Sequence, residues 1–151
     1  MLYGNRLKEV REEKGLNQVE VGKFLDIKGG VYSLYETEHT IIPSKHLIML
    51  CVLFSVSLDY LFEFTDLKNY DSVNKNFDIK VIGQRLKEFR KGNKLTQERL
   101  ARELNTTQSV IADYEKGRYL IATPFLYQIC KNYSISSDYL LDRIDSPKYL
   151  K

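Results

Sequence analysis

Leu95-Thr96-Gln97-Glu98-Arg99-Leu100-Ala101 and Thr106-Thr107-Gln108-Ser109-Val110-Ile111, followed by Tyr114-Glu115-Lys116-Gly117-Arg118, decide the fold. Thr96 precedes an apolar pair, Leu100 and Leu104, at helical spacing, and its hydroxyl is of the kind that caps a helix start. Thr107 offers the same for a second helix that runs to Lys116. Gly117 then supplies the left-handed backbone conformation that ends helices. Two short helices in close succession follow.

Outward from this stretch the apolar spacing stays helical. A helix over about 79–91 turns Ile82, Leu86 and Phe89 inward. Thr123, with Pro124 as first helical residue, opens one containing Phe125, Leu126, Ile129 and Cys130, and Ser136 caps a last one through Leu141. Sliding the chain against itself by 79 residues reveals a gapless internal repeat. Gly4-Asn5-Arg6-Leu7-Lys8-Glu9-Val10-Arg11 falls on Gly83-Gln84-Arg85-Leu86-Lys87-Glu88-Phe89-Arg90, Tyr35-Glu36 on Tyr114-Glu115, and Asp59-Tyr60-Leu61 on Asp138-Tyr139-Leu140. Roughly a third of the paired positions are identical. The chain is thus expected to be all-α: a first unit over 1–64, a polar linker over 65–77, a second unit over 78–144 and a tail over 145–151. Asn17, Ser44 and Ser57 are the corresponding caps of unit one.

Composition excludes several classes. With 43% hydrophobic and 28% charged residues the chain is of soluble globular type. Its longest apolar run, near Leu47 to Phe54, is far short of the ~20 residues that span a bilayer, and no signal-peptide pattern is present, so a cytoplasmic location is expected and no membrane partner. Cys51 and Cys130 stand at equivalent helix positions, without the spacing of a zinc site or disulfide framework, and read as small core residues. No nucleophile and base, glycine-rich phosphate loop or metal cluster is legible; no enzyme activity, cofactor or metal is expected. The net charge of +3 hides an asymmetry. Residues 1–66 hold seven Lys and Arg against ten Asp and Glu, whereas residues 78–151 hold fourteen against nine. Only the second half carries the cationic surplus that displaces counterions from DNA.

The residues quoted above make both units resemble the phage-repressor/Cro-type helix-turn-helix family, of bacterial and phage regulators. That resemblance implies two tandem five-helix bundles of the lambda-repressor-like DNA-binding type and a partner in double-stranded DNA. The second motif helix would lie in the major groove with its first residues at base edges. On this analogy Gln108, Ser109 and Asp113 read bases, since glutamine pairs bidentately with adenine and aspartate accepts from cytosine. Gln97, Thr107 and Arg118 contact the backbone, fixing register. Arg90 with Glu115, and Arg11 with Glu36, are structural ion pairs.

Unit one departs from this pattern. Gly29, Gly30 and Leu34 stand where unit two has Gln108, Ser109 and Asp113. Its exit, Glu36-Thr37-Glu38-His39, is expected to set acid where phosphate would lie. Gln18 and Lys28 remain as weak DNA contacts, so unit one reads as degenerate, with dimerisation, a protein partner or a second foot on DNA open to it. A linker of about a dozen residues spans at most about 40 Å, against about 34 Å between half-sites one turn apart, so a homodimer presenting two copies of unit two is the simpler arrangement. The expected function is a sequence-specific transcriptional repressor; the competing one is a protein-binding adaptor or antirepressor that keeps the fold.

Overall fold

A computed structural model describes residues 1–149, in which every regular element is helical; the last two residues of the expected tail lie outside the described residues. Residues 1–71, with Tyr149, and residues 72–148 form two compact units. Unit one contains α1 (Gly4–Glu13), α2 (Gln18–Phe24), α3 (Gly29–Glu36), α4 (Ser44–Phe54) and α5 (Leu58–Leu61). Unit two repeats the order as α6 (Ile79–Gly92), α7 (Gln97–Glu103), α8 (Gln108–Glu115), α9 (Thr123–Tyr133) and α10 (Ser137–Leu140).

Helices this short are unstable alone and depend on burying an apolar face. In unit two that face is Leu86, Leu100, Ile111, Leu126, Cys130 and Leu140, all buried. The residues 79 positions earlier, Leu7, Val21, Tyr32, Leu47, Cys51 and Leu61, form the same core in unit one. Local chemistry fixes the starts. Thr96, Ser57 and Ser136 accept a bond from the backbone N–H three residues on, and Asn17 forms a reciprocal box with Glu20. Three expected caps differ. Thr107 stands at the N-cap of α8 without a side-chain bond, and Pro43 and Ala122, both extended, precede α4 and α9. Ser44 and Thr123 thereby become the first helical residues, and Pro124 the second.

Each unit needs a glycine at one point. A Cβ on Gly83 would lie 2.6 Å from the carbonyl oxygens of Tyr114 and Glu115, and one on Gly4 would collide with that of Glu36. Helix one can therefore close onto the end of the third helix only without a side chain there, which sets Arg90 against Glu115.

The stretch expected as linker divides between the units. Arg6 Nη1 donates to the carbonyls of Tyr60 and Thr65, both at 2.7 Å, its Nη2 reaches Asp66, and its guanidinium covers the Tyr60 ring. Ser57 N–H donates to the Lys68 carbonyl, and Tyr70 to Asp59. Unit two repeats the fastening: Arg85 bonds the carbonyls of Tyr139 and Ile144 and reaches Asp145, and Ser136 N–H donates to Pro147. On the other side, Asn74 and Asp78 bond Asp142. Residues 65–70 and 144–147 thus belong to the packed units.

Candidate nucleic-acid interface

Ile111 and Tyr114 anchor α8 in the core, so the helical period turns Ser109 and Asp113 outward, with Gln108 at the flank of that face in the first turn. Gln108 and Ser109 are exposed and Asp113 is half-buried. Ser109 and Asp113, four residues apart, share one face.

Behind this face lies a buried ion pair. Arg90 Nε donates to Glu115 Oε2 at 2.7 Å and Nη2 to Oε1 at 3.0 Å, while Nη1 donates to the Leu95 carbonyl at 2.9 Å. The bond to Glu115 raises the Arg90 pKa above its ordinary value, as Glu36 does for Arg11. Arg11 and Glu36 meet with the same geometry, 2.6 and 3.1 Å. Removing either partner would strand a buried charge.

From Glu115 a chain of bonds runs outward. Gln97 Nε2 donates to Glu115 Oε1 at 3.1 Å, and Gln108 Nε2 donates to Gln97 Oε1 at 3.3 Å. An ionised carboxylate only accepts, so Gln97 must face it with its NH2, which turns its oxygen towards Gln108. Gln108, exposed, thereby has one amide hydrogen engaged, and its other hydrogen and Oε1 remain available. Gln97, assigned to phosphate by resemblance, is held inward by one of its two hydrogens. Thr107 is exposed at the N-cap of α8.

Asp113 and Arg118, assigned separate tasks by resemblance, pair with each other. Arg118 Nη1 lies 3.3 Å from Asp113 Oδ1, with the arginine side chain 62% exposed. The Arg118 backbone N–H donates to the Asp113 carbonyl, closing the helix end where Gly117 takes φ +74°.

Unit one keeps the inner half of this apparatus and lacks the outer. Gln18 Nε2 donates to Glu36 Oε1 at 3.2 Å, but Gly29 and Gly30 offer no side chain beyond it. A Cβ on Gly29 would lie 2.9 Å from Val19 Cγ2 and 3.1 Å from Val19 Cα, so a side chain there requires Val19 to give way by a few tenths of an ångström. Val19, Val31, Leu34 and Ile41 are exposed instead, and Lys28 is exposed at the N-cap of α3. The acidic exit differs from its expected effect. Glu36 is buried against Arg11, and the Glu38 carboxylate accepts from the backbone N–H groups of Leu2, Tyr3 and Gly4 at 2.9–3.1 Å. Both acids face into the unit: Arg11 holds Glu36, and the N–H groups leading into α1, at the positive end of its dipole, hold Glu38.

Sequence reasoning missed one buried pair, Arg143 Nε donating to Asp138 at 2.8 Å. Its only signal was Asp59 matching Asp138, and unit one satisfies Asp59 differently, through Tyr70. Among the described residues no group of His, Cys, Asp and Glu is placed to hold a metal, and no helix is long and apolar enough to cross a membrane.

Two helices meeting across a short turn, locked by an internal Arg–Glu pair and present twice, define a tandem helix-turn-helix protein. A helix-turn-helix domain model matches residues 83–146, and a helix-turn-helix model matches residues 7–61. The chain carries two helix-turn-helix domains of the Cro/C1 type in tandem, each a lambda-repressor-like all-α unit. Domains of this family serve DNA binding in transcriptional regulation. No curated protein and no solved structure matches the chain.

Proposed function

We propose that the chain is a cytoplasmic, sequence-specific repressor that binds double-stranded DNA through unit two, α8 lying in the major groove, and excludes polymerase from a promoter. The observation that carries this is the bond chain from Arg90–Glu115 through Gln97 to Gln108. It leaves Gln108 with a donor and an acceptor available, the pattern that matches N7 and N6 of adenine. Ser109 lies beside it for a second base edge. Thr107 and the remaining Gln97 hydrogen serve phosphate, and the exposed Lys94 and Arg99 add cationic charge near the start of α7. Reader and support are hydrogen-bonded to one another in the free protein, which lowers the ordering cost of binding.

Unit one does not read bases in this scheme. One reading unit per chain and half-sites in pairs favour a homodimer, with the exposed Val19, Val31 and Leu34 of unit one as a protein contact. The same apolar residues favour the second reading, an adaptor or antirepressor. Selection of bound sequences from random duplexes, run on the full chain and on Gln108→Ala, separates the two. An enriched motif that loses one adenine preference in the variant supports the repressor. No motif at moderate salt rejects it and leaves the adaptor.

A further inference from the structure

The geometry points to Arg118 as a guanine-reading residue of unit two, with Asp113 as the positioning residue that aims it; this rests on the proposal that α8 enters the major groove. Asp113 shares a helix face with Ser109, so the guanidinium it holds at 3.3 Å is drawn towards the base-facing row. A carboxylate on that face, alone, would meet the repulsion of the phosphates. Paired with Arg118 it is neutralised, and a direct contact from Asp113 to cytosine would require that pair to break. Arginine has five N–H donors in a planar fork, of which Asp113 engages one, leaving donors for the O6 and N7 acceptors of guanine.

The chain contains its own comparison. Leu34 and His39 of unit one stand where unit two has Asp113 and Arg118, so both partners are absent from the unit that lacks base-reading side chains. An exposed pair contributes little to stability, which leaves orientation as its consequence.

The test uses the full chain on the duplex motif it selects, with every base pair substituted in turn, for Arg118→Ala, Arg118→Lys, Asp113→Ala and the double variant. Arg118→Ala should reduce preference at one G·C pair by about ten- to a hundredfold, the range of a bidentate contact. Arg118→Lys should lose the same preference although the charge remains. Asp113→Ala should weaken preference at that pair and no other, and the double variant should match Arg118→Ala. Unchanged helical circular dichroism and retained low-salt binding to random DNA exclude misfolding. Uniform weakening by Arg118→Ala, with a salt dependence about one unit shallower and rescue by lysine, would make Arg118 a phosphate contact and overturn the inference alone. Loss of preference in Asp113→Ala but not in Arg118→Ala would also overturn it, in favour of direct readout by Asp113. No motif from the wild-type chain would overturn both the inference and the reading beneath it.

Discussion

Gln97 is where the bond chain can be cut without touching base or core. In Gln97→Ala the Gln108 amide loses the acceptor that fixes its orientation. Two nearly equivalent amide orientations then compete, which costs about 0.4 kcal/mol, and immobilising the freed side chain on DNA costs a further ~0.5–1.5 kcal/mol. The total, about 1–2 kcal/mol, corresponds to a roughly five- to thirtyfold weaker complex. Glu115 keeps both bonds from Arg90, so the fold should be unaffected. Fluorescence anisotropy with the selected duplex, and with that duplex altered at the adenine read by Gln108, measures the effect. The loss should fall mainly on the unaltered duplex, and a cycle with Gln108→Ala should show coupling above about 0.5 kcal/mol. Equal loss on both duplexes, with no coupling to Gln108, would refute the reasoning and leave the phosphate bond as the whole contribution of Gln97.

Gly83→Ala should destabilise unit two by about 1–3 kcal/mol, because its Cβ meets backbone oxygens that cannot swing away; faster exchange of the Leu86 amide reads this. Glu38→Ala should cost unit one about 1–2 kcal/mol by removing the acceptor for three N–H groups, whereas Glu38→Gly should cost about 1 kcal/mol less, since φ is +59° there; exchange at Leu7 distinguishes them, and the reverse order would refute the capping account. Burial, and secondarily Lys45, lowers the His46 pKa, so the unfolded chain binds its proton first. Stability from this site is therefore present above pH ~6.5 and lost as pH falls through the lower folded value, and His46→Gln should flatten that slope in urea titrations followed in unit one.

The helices, their repeat and the Arg–Glu pairs were legible because side-chain identities carry them: Leu86 with Leu7, Arg90 with Arg11, Glu115 with Glu36. Other features left little trace. Arg6 and Arg85 grip backbone carbonyls, which any residue supplies, so around residues 65 and 144 the repeat keeps only Asp66 with Asp145 although the geometry continues. The meeting of Asp113 with Arg118 depends on the left-handed turn at Gly117, and Glu38 finds partners 34 to 36 residues away. Neither spacing is periodic. The exit of unit one was consequently read by its formal charge, when its acids are already engaged by backbone and arginine.

The paired arginine fastenings bear on how such a gene came to be built. Because Thr65 to Lys68 closes onto Arg6 and Ser57 just as Ile144 to Pro147 closes onto Arg85 and Ser136, each repeat unit includes its own latch. The seam between the copies then falls between Asp71 and Ser72, where the two units divide. A recombination event joined at that seam passes on an intact module, whereas one joined at the end of α5 leaves an arginine without its closing strap.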